Sequence, residues 1–278
     1  MIGLESLAIH TTLTLFGFVL LVPFLWMLLT SLKDESQAYQ LPPQWIPSEL
    51  VWNNYYVAVF GYFNFIRYAM NSITITTGVL LGRLITASLV AFGFARIRFV
   101  GRGVLFILVL SGLMVPHQVT IVPLYIIFKE LGWLNTYLPL IVPTWLGGGA
   151  FYIFLLRQFL LGISTEIDDA AKIDGCNWFD IYWRISMPLI KPALAAVAIF
   201  SFLQTWDDFF GPLIFLRSND LFTLPIGLHF YSEGSASSRP VITVAMAATT
   251  LIMTPPLAVF VAAQRYFIRG VVFNGLKG

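Results

Sequence analysis

Charge is scarce in this sequence. Only 11% of its 278 residues are Asp, Glu, Lys or Arg, while 58% are hydrophobic. A soluble domain carries about 25% charged residues, so this composition, with a mean hydropathy of +0.81, is that of an integral membrane protein. The net charge of +2 is too small to point to nucleic acid. A single cysteine, Cys176, excludes an internal disulfide. The three histidines, His10, His117 and His229, are far apart and have no metal-ligand spacing. None of the five lysines follows a glycine and precedes Ser or Thr, so there is no phosphate-binding G-x-x-x-x-G-K-[ST] loop. Neither G-x-S-x-G nor H-E-x-x-H occurs. If ATP drives any activity here, another chain must bind it. The N-terminus lacks a basic n-region and a small-residue cleavage site, which predicts that the first apolar run is retained.

What is present is a series of long apolar runs. A spanning helix needs about 20 such residues, and the pattern predicts six, at 9–31, 68–95, 103–124, 138–158, 192–214 and 241–264, in one domain. Pro116, Pro123, Pro139 and Pro143 predict irregular third and fourth spans, bent or partly re-entrant between Pro116 and Pro143. With both termini inside, Arg96, Arg98, Arg102, Arg157, Lys172, Arg184, Lys191, Arg265, Arg269 and Lys277 fall on the inner side. Lys33, Arg67, Lys129, Arg217 and Arg239 fall on the outer side, and Arg83 is left within the membrane. That asymmetry satisfies the positive-inside rule.

Against this apolar background, acidic residues gather at Glu166, Asp168, Asp169, Asp174 and Asp180, five of the fourteen in the chain. Thr165 with Asp168 forms an [ST]-x-x-[DE] helix start, Gly175 suits a left-handed helix end, and Asn177 with Asp180 restarts a helix that Pro188 stops. The segment reads as two short helices joined by a tight turn outside the membrane, a shape suited to docking.

Several polar residues lie within the spans. Arg83 is near mid-depth of the second, where an Arg costs about 2.5–3.5 kcal/mol on insertion scales. It reads either as a hydrogen-bond donor lining a translocation path, paired with Asp207 or Asp208, or as a structural ion pair between spans. Trp206, Asp207 and Asp208, with Phe209 beside them, combine aromatic faces with carboxylates, a pairing suited to sugars; the alternative is acids that already touch outer water. His117, Gln118 and Trp145 are further path candidates. Gly147–Gly149 allows close approach of a substrate or of another helix. Outside the membrane, the stretch 33–67 holds Trp45, Trp52, Tyr55, Tyr56, Tyr62 and Phe63, with Asn53 placed to cap a short helix ending near Gly61. It is either an interfacial aromatic belt or a surface for an extracellular partner. The stretch 232–238 reads as a flexible loop.

Asp169-Ala170-Ala171, three residues, Gly175, nine residues, Ile185, one residue, Met187-Pro188 resembles the EAA loop of ABC importer permeases, with Asp169 where Glu is usual and Met187 where Leu is usual. Pro23–Met27 with Thr30–Lys33, Asn53 and Tyr55, Asn71-Ser72, Pro116, Gln118, Pro123–Tyr125, Trp206–Phe209 and the tail from Gln264 extend the resemblance over nearly the whole chain. They are similar to the smaller six-span permease of maltose-type and glycerol-phosphate-type carbohydrate importers. The resemblance implies an all-α membrane protein of type I ABC importer architecture with a cytoplasmic coupling helix in the loop 160–190. It implies a non-catalytic subunit in a bacterial or archaeal inner membrane, both termini cytoplasmic. The implied partners are a second permease, two ATPase subunits that bind ATP and Mg, an extracellular solute-binding protein and membrane lipid; this chain itself would hold no cofactor. Glu166, Asp168, Asp169, Ala170, Ala171, Asp174, Gly175 and Phe179 are the implied ATPase-coupling residues. The competing class is a stand-alone secondary transporter or channel; few buried carboxylates and no visible repeat speak against it.

Overall fold

The computed structural model describes residues 4–61, 64–234 and 241–275, with side chains undescribed at 4, 5, 117 and 264–275. Among these residues the structure is helical throughout, with no strand. Two compact units divide the chain: Met1–Tyr68 with Leu224–Pro255, and Ala69–Thr223 with Pro256–Gly278.

In the first unit, α1 (Leu4–Ser31) is uncharged from Ser6 onward and almost wholly exposed along its apolar length, as a helix meeting lipid or a partner chain must be. Beyond it the chain is tied down rather than loose. Lys33 is buried, donates from Nζ to Gln44 O at 2.6 Å and sits 4.0 Å over the Trp26 ring. Gln37 donates to Gln44 Oε1 and Ile46 O and accepts from Ser48 N. The helix expected before Gly61 is α2 (Asn53–Phe60), but Asn53 does not cap it: Trp52 holds the cap position with no side-chain hydrogen bond. The adjacent Asn54 instead turns inward and donates to Ser31 O and Lys33 O at 2.9 and 2.8 Å, where those two carbonyls lack helical partners. Tyr62 and Phe63 lie outside the described residues, as do residues 235–238 of the second outer stretch.

The second unit begins within α3 (Phe65–Arg96), which matches the predicted second span. The third span is not one helix. α4 (Arg102–Ser111), extended by a 3₁₀ turn to Met114, and α5 (His117–Glu130) meet at 102°. Val115 is extended because the ring of Pro116 excludes the helical region for the residue before it. The fourth is α6 (Leu138–Trp145) and α7 (Ala150–Leu161), with Gly148 and Gly149 at positive φ between them. Next come α8 (Glu166–Ile173), α9 (Trp178–Leu189) and α10 (Lys191–Trp206), the last two bent by 76°.

The predicted fifth span, 192–214, is interrupted rather than one continuous helix. α10 ends at Trp206, and a separate turn of helix, α11 (Phe210–Phe215), follows. Asp208 causes the restart, its Oδ1 accepting from Gly211 N at 3.2 Å. α12 (Leu224–Ser232) and α13 (Ile242–Gly275) belong to the C-terminal part, α13 covering the predicted sixth span. Among the described residues four helices are long and apolar enough to cross a membrane, or up to six if each bent pair counts as one span.

The core of the second unit gathers Ala87, Ala91 and Phe92 of α3, Tyr152, Ile153, Leu156 and Leu160 of α7, Ile181 and Tyr182 of α9, and Ala193 and Val197 of α10. The polar segment is therefore built onto the helices rather than hung from them.

Candidate functional site

Ser164 Oγ accepts from Glu166 N at 3.2 Å and starts α8; Thr165, the predicted cap, has helical backbone angles and makes no capping bond. Gly175, at φ +86, ends the turn in the left-handed region, as its sequence position predicts. Asn177 Oδ1 then accepts from Phe179 N and Asp180 N, each at 2.9 Å, and restarts the chain as α9. Pro188 does not stop that helix, which runs on to Leu189. The turn before it, Ile181–Ser186, is π-helical, and this wider turn relieves the clash between a proline ring and the carbonyl four residues back.

Eight residues of α8 divide by helical spacing. Glu166, Asp169, Ala170 and Ile173 stand at i, i+3, i+4 and i+7 and are all exposed, Ile173 to 88%. Asp168 and Ala171, three apart on the opposite side, are buried. The resemblance implies an ATPase-coupling role for both; in the structure both side chains face inward. Asp168 Oδ2 lies 3.0 Å from Arg96 Nε at the end of α3, with side chains 5% and 2% exposed. Arg96 Nη2 also donates to Ile163 O at 3.1 Å. Ala171 is small because it packs into the core. Burial pushes the Asp168 carboxyl above the usual carboxylate range, against the pull of Arg96 and then Lys172, with Asp169 adding a smaller push upward.

On the outward side, Asp169 Oδ1 meets Lys172 Nζ at 3.2 Å, and that ammonium lies 4.2 Å over the Trp178 ring. Asp174 is exposed. Phe179 is exposed too, but it lines an apolar groove of about 570 Å³ with Trp183, Met187, Leu84 and Leu89. Ile173 is the outward residue that the motif did not mark; its i+3 and i+4 relation to Ala170 and Asp169 was the available signal.

The candidates for a solute path separate. Arg83 joins three side chains that carry no motif: Nη1 donates to Gln204 Oε1 at 2.9 Å, Ser201 Oγ at 3.2 Å and Tyr152 Oη at 3.3 Å. Tyr152 Oη donates in turn to Gln204 Oε1 at 2.9 Å. The guanidinium carbon lies 4.9 Å from the Tyr152 ring centroid. Arg83, Tyr152 and Gln204 line a cavity of about 420 Å³ with Phe151, Phe200 and Leu113. Ser201 and Gln204, at i and i+3 in an otherwise apolar α10, were the sequence signal.

Asp208 attracts Arg83 electrostatically. Asp207 is exposed at the end of α10. Trp206 is buried and stacked on Phe202 at 5.4 Å. Trp145 donates from Nε1 to Gly78 O at 3.0 Å and lies against Gly82. Gln118 is exposed. The side chain of His117 lies outside the described residues. Trp145, Gln118, Trp206 and Asp207 do not line the Arg83 cavity. Within Gly147–Gly149, Gly148 serves helix packing, a Cβ there meeting Ala87 N at 2.5 Å, while Gly149 lines the Arg83 cavity.

Among the described residues no group of His, Cys, Asp and Glu is placed to hold a metal ion.

Residues 78–273 match the family described as "Binding-protein-dependent transport system inner membrane component". The chain is 34% identical over 264 residues to the arabinooligosaccharides transport system permease protein AraQ of Halalkalibacterium halodurans, covering 94% of this chain and 93% of that one. It is 31% identical over 269 residues to the lactose transport system permease protein LacG of Rhizobium radiobacter, covering 97% and 96%. Its fold is similar to that of a chain in the crystal structure of a bacterial ABC transporter involved in the import of the acidic polysaccharide alginate, with a TM-score of 0.81, 22% identity and coverage of 95% and 96%.

Proposed function

The chain belongs to the binding-protein-dependent transport system inner-membrane components, and from that premise we propose that its solute is a sugar or sugar-like molecule moved by ATP hydrolysis on separate subunits. It is the transmembrane subunit of a binding-protein-dependent importer and a multi-pass permease of the inner membrane. In the proposed assembly a second permease completes the path, two ATPase subunits bind ATP and Mg, and both termini of this chain are cytoplasmic. The relatives named for arabinooligosaccharides and lactose support a carbohydrate solute.

The observation that carries the coupling role is the two-sided α8. Its inner side is locked to α3 through Asp168 and Arg96, and its outer side presents Glu166, Asp169, Ala170 and Ile173. A face that projects outward while its back is fixed to a long helix transmits displacement in both directions. An ATPase pushing on Ile173 and Asp169 moves α3, and with it Arg83. The exposed aromatics Trp45, Trp52 and Tyr56 on the ordered outer segment are the proposed contact for the solute-binding protein.

Gly175→Asp tests the docking face. Nothing lies within 4 Å of a Cβ built on Gly175, but its φ of +86 is strained for any side chain, at about 1–2 kcal/mol. The complex is expected to insert and assemble, with ATP hydrolysis continuing while uptake into proteoliposomes falls. Normal uptake by this variant contradicts the coupling role. The chain reconstituted alone is expected to move no solute, with or without ATP; ATP-independent uptake by it would support a secondary transporter instead.

A further inference from the structure

We propose that this chain carries an anion-binding subsite at Arg83, fitted to a carbohydrate bearing a carboxylate or phosphate; this rests on the importer reading and names its substrate class. The argument starts from how the guanidinium is used. Nη1 is surrounded by three neutral oxygens, those of Tyr152, Ser201 and Gln204. Among the described residues Nε and Nη2 have no acceptor within hydrogen-bonding reach. Those two nitrogens form the side of the fork that binds a planar or tetrahedral oxyanion through two parallel hydrogen bonds. Arg stays charged at any physiological pH, so the cavity carries a fixed positive charge. Asp208 offsets part of that charge, and its Oδ1 accepts from Gly211 N.

The rest of the cavity suits a sugar. The Tyr152 ring holds the guanidinium in one plane. Phe151 and Phe200 meet edge to face at 6.0 Å, both remain partly exposed, and both line the cavity, giving apolar surfaces for the C–H faces of a ring. At about 420 Å³ the space falls in the range of small-molecule sites. The solutes named for the permeases AraQ and LacG are neutral, so an anionic preference would set this chain apart from those two, whereas the alginate named for the structural neighbour is acidic.

The test uses the complete importer in nanodiscs without its binding protein, so that this site alone is read. Radiolabelled digalacturonate, lactose 6-phosphate and lactose are the probes. The variants are Arg83→Gln and Gln204→Glu; the second keeps the shape of the network but hands Arg83 an internal carboxylate. One anionic probe is expected to bind about tenfold or more tighter than lactose, and both variants to lose that binding by about 10- to 100-fold, the range for a charged hydrogen bond. The better anionic probe distinguishes carboxylate from phosphate. Equal binding of lactose, no binding of either anion, or unchanged anion binding in both variants overturns the subsite. ATP hydrolysis stimulated by the binding protein is measured on the same samples. If it is retained while the anions fail, the importer stands and the subsite falls; if no ATPase activity accompanies the complex, both fall.

Discussion

Asp168→Ala is expected to destabilise the seat of α8 by about 3–5 kcal/mol, the effect of leaving one partner of a buried ion pair uncompensated. Arg96 keeps its bond to Ile163 O but loses the carboxylate 3.0 Å away, and at 2% exposure its side chain cannot recover water. The outer stripe of α8 stays chemically intact, so a loss of uptake in this variant isolates the lock from the docking face. Limited proteolysis across residues 160–190 and uptake in proteoliposomes measure the two effects. The double variant Arg96→Met with Asp168→Leu is expected to restore most of the stability, because it removes both charges and fills the space.

The direction of the Asp168 shift supports that expectation. Burial dominates and raises the carboxyl despite Arg96, so at neutral pH the charged pair returns less than its desolvation removes. A folded-state value above the unfolded one means that the folded segment binds the proton more readily. Its stability relative to the double variant is therefore expected to rise as pH falls from 7 toward the usual carboxylate range. Had pairing dominated, acid would loosen the segment; thermal unfolding of both forms against pH separates the two.

Gly148→Ala is expected to have the second large effect. The residue has φ +66, and an added Cβ comes within 2.5 Å of Ala87 N and 2.7 Å of Ala87 Cα. Left-handed strain and overpacking against backbone add to about 2–5 kcal/mol. This contact sets the start of α7 against α3, and two residues into α7 stands Tyr152, the partner of Arg83. Lower thermal stability of the complex and weaker uptake are expected together. Gly147→Ala is the control: a Cβ there meets nothing within 4 Å, and its effect is expected within about 0.5 kcal/mol.

Features fixed by local chemistry were legible in the sequence. Gly175 and Asn177 act through their own backbone and their nearest neighbours, and both are found where the pattern placed them. Pro116 was enough to foretell the break after α4. Features fixed at long range were hidden. The spacing of Asp168 and Ala171 implied a shared side of α8, but which side faced inward depended on Arg96, on a distant helix. Ser164 and Thr165 are chemically alike, and only the entry angle of the chain chose Ser164 as cap. The Arg83 cluster draws on α3, α7 and α10 at once, and neither Tyr152 nor Gln204 stands in a motif. Trp206 and Trp145, conspicuous as aromatics beside polar neighbours, are used in packing instead. The break at Asp207 was masked by the apolar run that resumes after Asp208.

The outward face of α8 is the central claim, and cysteine cross-linking tests it most directly. In a Cys176→Ser background, Ile173→Cys is labelled with a short reagent carrying one thiol-reactive and one photoreactive group in membranes containing the whole transporter, with Ala171→Cys as the buried counterpart. A product joining this chain to the ATPase subunit is expected at position 173 and not at 171. Cross-linking at 171 but not at 173, or at neither position in a transport-active complex, would contradict the account.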